Sequence, residues 1–311
     1  MNVKRIIRCV FLTLALILAG SFVPVIGFIC LMICPVPLAV LGCLDGHKSS
    51  GIAELLIEAT LFLTFSPSMA VYFLLGCAPV SGVIFMLSRE EFKEVKKYSG
   101  AETLLICAGL SLLMKVILLV VFWLFTGRNI LFPDVAQMQA VMTQLYGDNP
   151  ALLESVSKVL AIFPYILPAM LVIYVGIEIY LNYSIIHSVL RRFFPKSKNF
   201  PPELPEFRFW RFPASLMPAL VFALILGYFI DSETWLAGSV FVMNLQIILN
   251  VFMFIQGLAL TFWLMAGFRL RRITKSFICV ILAFPFFWPW LIIMGMCDMV
   301  LNMRERIKFS G

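Results

Sequence analysis

The residues most able to do chemistry in this sequence are the few charged or amide side chains set inside long apolar runs. Lys115 stands about twelve residues into one such run, and Glu178 about eleven residues from the end of another. An ionisable group at bilayer depth costs about 2.5–3.5 kcal/mol on insertion scales, so each needs a partner or a task. At a rise of about 1.5 Å per residue the two depths coincide, and antiparallel neighbours would hold the residues as an ion pair. Asn182 follows Glu178 by one helical turn and shares its face. Glu54 and Glu58 are likewise one turn apart, and Gln256 lies deep in a later run in which Gln246 and Asn250 share a face. Two readings stay open. The set lines a polar cavity at mid-depth for a solute or protons, or Lys115 and Glu178 pin two helices while the amides tie others together.

Other chemistry is missing. There are two histidines, His47 in a loop and His187 beside Arg191 and Arg192, with no carboxylate cluster beside either, so no metal centre is expected. The sequence holds no HExxH helix, no GxSxG elbow, no Gly-rich phosphate loop followed by Lys and no paired intramembrane aspartates. No enzyme and no cofactor are expected, and ATP-driven work would need another polypeptide. The eight cysteines all lie in apolar stretches without CxxC spacing, which predicts small buried hydrophobes rather than disulfides or a metal site.

The elements that must position these side chains are membrane helices. Hydrophobic residues make up 62% of the 311 and charged residues only 13%, with a mean hydropathy of +1.00. No soluble globule hides that much apolar surface, which excludes a cytosolic enzyme and a nucleic-acid reader. The net charge of +7 is read as the basic bias of cytoplasmic loops. Residues 9–44 carry no charge, too long a run for one helix of about 20 residues. Pro24 and Gly27 mark a turn between two spans, and Pro35-Val36-Pro37 distorts the second. Further apolar blocks cover 51–66, 67–88, 103–127, 159–190, 213–230, 235–267 and 276–297.

With the N-terminus cytoplasmic, alternation places 18 Lys and Arg inside through residue 275, and only Arg128 and Lys158 outside. Arg304, Arg306 and Lys308 also belong inside by that rule. The run Phe284-Pro285-Phe286-Phe287-Trp288-Pro289-Trp290 would return the tail there as a broken hairpin. The expected fold is therefore an all-α, polytopic transmembrane helical bundle of about 8 spans plus that hairpin, with 9 spans the alternative. The external loop 128–158 predicts an interfacial helix from Val135, Met138, Val141, Met142 and Leu145, followed by an Asp148-Asn149-Pro150 helix start. The internal stretch 201–213 mixes Pro, Arg and aromatic residues suited to the headgroup zone. Ala15 and Ala19 set two small residues one turn apart on the first span, a face for close helix packing or for a partner.

Four pieces carry a family resemblance: Pro35-Val36-Pro37-Leu38-Ala39 with Gly42 and Asp45-Gly46; Leu204-Pro205 through Trp210-Arg211-Phe212-Pro213; Ile255-Gln256-Gly257-Leu258-Ala259; and Gly295-Met296-Cys297-Asp298 running into Arg304. Together they resemble the YybS-like family of bacterial membrane proteins, which implies an inner-membrane, multi-pass location and no settled activity. The N-terminal part is also similar to the substrate-binding S components of energy-coupling-factor transporters. That second resemblance implies a six-helix core over 1–190 and a linker over 191–212, leaving 213–311 as additional C-terminal helices. It implies docking of a coupling transmembrane subunit, with its ABC-type ATPases, at Ala15 and Ala19, and a lid formed by 128–158. The leading expectation is a binding or transport protein for a vitamin-like micronutrient. Lys115, Glu178, Asn182 and Gln256 would line the pocket, with Trp123 nearer its mouth. The alternative is a non-transporting scaffold that holds cytoplasmic partners or anionic lipid through 201–213 and the basic inner loops. No nucleic acid is expected as a partner.

Overall fold

The computed structural model describes residues 2–23, 26–88, 99–127, 143–144, 150–195, 197, 199–214, 216–230, 235–268 and 272–307. Among them all regular structure is helical, which makes this an all-α polytopic protein. The expected turn at Pro24, the Asp148-Asn149 cap and most of the interfacial helix and lid of the 128–158 loop lie outside the described residues. Residues 150–158, expected at the end of that loop, are instead helical and continuous with the span that follows.

The chain divides into two compact units, one of 1–133 with 174–204 and one of 134–173 with 205–311. In the first unit α1 (Val3–Phe22) is followed by α2 (Ile26–Ile33) and α3 (Val36–Asp45), which together form one span interrupted at Cys34-Pro35. The interruption follows from Pro35 and Pro37, which bring no N–H to the ladder. Gly46, at φ +84°, turns the chain from α3 into α4 (His47–Thr64). Ser66 caps α5 (Pro67–Tyr72), accepting from Met69 N, with Pro67 pre-set for the first turn. A π turn over Phe73–Cys77 joins α5 to α6 (Ala78–Ser88). A capping box of Ser99 and Glu102 opens α7 (Gly100–Thr126). The core of this unit gathers Leu38, Ile57, Leu61, Phe73 and Cys77. Much of α7 instead presents Leu105, Leu113, Leu124 and Phe125 outward, a surface that lipid solvates and water does not.

Pro150 opens α8 (Pro150–Phe193), which carries Pro164 and Pro168 inside it and contains the boundary between the units. The second unit adds α9 (Leu216–Phe229), α10 (Leu236–Gly267), α11 (Arg272–Ala283) and α12 (Trp288–Leu301), with a last turn, α13 (Met303–Arg306). Backbones of α10 and α12 touch. A Cβ on Gly257 would stand 1.9 Å from the Leu291 carbonyl oxygen, and one on Gly295 would stand 2.0 Å from that of Met253. Only glycine at both positions permits that approach.

Six described helices are long and apolar enough to cross a bilayer, seven if the bent pair Ile273–Leu282 and Pro285–Leu301 is one span. That pair bends by 86° across the Pro285 break. The blocks expected as spans over 51–66 and 213–230 are helical. However, α4 includes His47, Lys48, Glu54 and Glu58, and α9 has only 14 residues against about 20 for a full crossing.

Candidate functional site: a buried ion pair at two helix interruptions

In the first unit the Lys115 ammonium has a partner for each of its three protons. It donates to Glu178 Oε2 at 2.7 Å, to Ser111 Oγ at 3.1 Å and to the Gly76 carbonyl at 3.1 Å. Lys115, on α7, and Glu178, on α8, are both buried, as is Ser111 one turn before Lys115. The Lys115 ammonium also stands 5.7 Å from the centre of the Tyr174 ring.

Gly76 belongs to the π turn. A wider turn tilts carbonyls off the helix axis, and here one of them is taken up by a lysine from another helix. Asn182 does the same for the α2–α3 interruption. Its Nδ2 donates to the Met32 carbonyl at 2.8 Å, and also to that of Glu178 at 2.8 Å. The polar centre therefore stands between two irregular stretches of backbone and pairs with a carbonyl from each. Two buried acceptors, Glu178 Oε1 and Asn182 Oδ1, have no partner within hydrogen-bond distance, although the Tyr174 hydroxyl stands near the Glu178 carboxylate. In a low-dielectric interior a bare acceptor costs about 1–3 kcal/mol, so a donor-bearing guest would gain by supplying the missing bond.

Lys115, Glu178 and Asn182 thus come together. The remaining candidates stand elsewhere. Trp123, on α7, is half exposed. Ala15 and Ala19 are partly buried, and the neighbouring Gly20 packs against Gly27 of α2, so part of that small-residue face is used within the chain. Gln256 belongs to the second unit and to a different network. Its Nε2 donates to Asp298 Oδ2, and its Oε1 accepts from Phe212 N at 3.0 Å. Asp298 in turn pairs with Arg304 at 3.0 Å, and Arg304 Nη1 donates to the Arg208 carbonyl at 2.7 Å. Burial pulls the Arg304 pKa below the ordinary arginine value, and the Asp298 carboxylate opposes that pull. The network forms where α10 and α12 cross at Gly257 and Gly295, one residue from Gln256 and three from Asp298.

Sequence reasoning assigned no role to Asn244. Its Oδ1 accepts from Ala169 N at 2.7 Å and its Nδ2 donates to Tyr165 O at 2.6 Å. Those two groups would bond each other in an uninterrupted helix, and they lie in the stretch of α8 marked by Pro164 and Pro168. Pro164 and Pro168 mark that stretch in the sequence, but nothing local indicates which helix supplies the amide. Beside that turn a cavity of about 410 Å³ is lined by Tyr165, Gly227, Ser239, Met243 and Gln246 among others. Among the described residues no group of three His, Cys, Asp or Glu is placed to hold a metal ion.

The model of a family described as "Predicted membrane protein (DUF2232)" matches residues 11–299. The chain is similar to the "Uncharacterized protein YybS" of Bacillus subtilis (strain 168), at 26% identity over 299 residues, covering 92% of each chain. No solved structure matches.

Proposed function

The chain belongs to the family of predicted membrane proteins DUF2232, and on that premise we propose that it binds or transports a small solute in the bacterial inner membrane. One observation carries this reading: a buried Lys–Glu pair and an amide meet two interrupted helices and leave two acceptors bare. Irregular backbone at membrane depth is tolerated where protein or a water-filled cavity surrounds it, and secondary transporters place substrate sites at such breaks. The unpaired oxygens of Glu178 and Asn182 suit a guest that presents hydroxyl, amide or amine donors, as vitamin-like micronutrients do. Trp123 would stand nearer the mouth. Gln256, with both ends of its amide occupied in the second unit, is assigned to that unit's frame rather than to the solute. The reading gives the chain no catalytic step and no cofactor. A coupling transmembrane subunit with ABC-type ATPases would dock at Ala15 and Ala19.

The scaffold alternative depends in part on side chains of 201–213 being available to a partner, the basic inner loops being its other element. Trp210 Nε1 donates to the Pro205 carbonyl at 3.0 Å and Arg211 pairs with Glu305 at 2.9 Å, so both are engaged within their own unit. That engagement favours the solute reading.

The test is uptake of a panel of labelled micronutrients into cells carrying wild type or Lys115→Met with Glu178→Leu. Loss of uptake of one compound at equal membrane abundance is expected. Unchanged uptake of every compound would overturn the proposal.

A further inference from the structure

Two of the cysteines stand at the same two helix interruptions. Cys34 falls between α2 and α3, immediately before Pro35, and Cys77 closes the π turn. Both are fully buried, and the Cys34 thiol donates to Cys77 Sγ at 3.4 Å. Each has a neighbour in the polar centre: Gly76, whose carbonyl accepts from Lys115, precedes Cys77, and Met32, whose carbonyl accepts from Asn182, lies two residues before Cys34.

We propose that Cys34 and Cys77 are a redox-modifiable pair that a bilayer-dissolved two-electron acceptor of the quinone class closes to a disulfide. Two S–H bonds break and one S–S bond forms. Two electrons and two protons pass to the quinone, which leaves as the hydroquinone. The sulfurs must approach from 3.4 Å to about 2.05 Å. Both sit at irregular backbone, where a shift of that size need not break a regular hydrogen-bond ladder, as it would in the middle of an intact helix. Their burial in an apolar core favours an oxidant that partitions into the bilayer over one confined to water. Closing the bond draws the α2–α3 interruption onto the π turn. It therefore displaces the Met32 and Gly76 carbonyls from Asn182 and Lys115. This inference does not depend on the solute reading.

The test uses the full chain reconstituted in vesicles and exposed either to a fully ring-substituted benzoquinone with a short alkyl chain, which offers no open ring carbon for thiol addition, or to ferricyanide. Thiols are then blocked with N-ethylmaleimide under denaturing conditions, and peptides are read by mass spectrometry. The expected result is a Cys34–Cys77 cross-linked peptide after quinone, absent after ferricyanide and reversed by a membrane-permeant dithiol. Cys9 and Cys107, also buried, should be recovered alkylated and serve as internal controls. The wild-type measurement needs no variant to fold, and Cys34→Ala or Cys77→Ala should each abolish the cross-link. Recovery of both thiols alkylated after quinone would overturn the proposal. A disulfide that joins either residue to another cysteine would do so too, and equal oxidation by ferricyanide would refute the assignment of the oxidant.

Discussion

The contacts of Lys115 predict an unusual pattern in a double-mutant cycle with Glu178. Glu178→Leu leaves a buried ammonium without its carboxylate, and Lys115→Met leaves a buried carboxylate with only hydroxyl neighbours, Ser111 Oγ at 3.5 Å and Tyr174. Removing one partner of a buried pair costs about 3–5 kcal/mol, because the other charge stays desolvated and unpaired. Replacing both with apolar groups of similar size removes that penalty. The double variant is still not neutral, since the Gly76 carbonyl loses its lysine donor at 3.1 Å, worth about 1–3 kcal/mol for an unsatisfied buried acceptor. The expected order is therefore two single variants destabilised by about 3–5 kcal/mol each, and a double variant by about 1–3 kcal/mol. The gap from additivity measures the coupling of the pair. Reversible unfolding in mixed micelles with increasing denaturing detergent, followed by circular dichroism, gives the four free energies. Additive single effects would refute the reasoning, because two residues that do not share a charge contact have no cause to rescue each other. Read with the uptake assay, the cycle also separates fold from function: a stable double variant that no longer takes up solute has lost the site and kept the frame.

Gly257→Ala and Gly295→Ala should each fail to assemble the second unit, since the added carbon would stand 1.9 Å or 2.0 Å from a backbone oxygen. Limited proteolysis and yield of monodisperse protein will show it, and wild-type behaviour of either variant would mean that α10 and α12 are not in backbone contact. Asn244→Leu should cost about 2–5 kcal/mol, because it bares both the Ala169 N–H and the Tyr165 carbonyl. Hydrogen exchange at the Ala169 amide should quicken selectively, and unaltered exchange there would contradict the bridge.

Much of the first centre was legible by counting. Lys115 and Glu178 are conspicuous because charge is scarce in apolar runs, and a fixed helical rise converts sequence position into depth. Asn182 followed from the helical repeat. The interruptions at Pro35 and at 284–287 were legible because proline removes a donor wherever it stands. The π turn was not. Phe73-Leu74-Leu75-Gly76-Cys77 contains no residue that demands it, and a widened turn holds only when a neighbour takes up the displaced carbonyl. In the second unit, Gln256 and the Asp298–Arg304 pair stood in two separate stretches of sequence, marked by the adjacent Gly257 and the nearby Gly295. Small residues announce a close crossing, but not which helix arrives there.

Composition alone determined that this is an all-α membrane protein, since the cost of bare backbone in lipid leaves a long apolar chain few other solutions. Local chemistry determined where helices start and break, through proline, serine caps and glycine at positive φ. Tertiary structure alone decided that Lys115 reaches Gly76, that Asn182 reaches Met32, that Asn244 bridges a proline-marked turn and that Cys34 meets Cys77. The physical reason is the same in each case. Freed backbone groups and thiols take partners by distance in space, and helices in a bilayer are too uniformly apolar for pattern to say which face meets which.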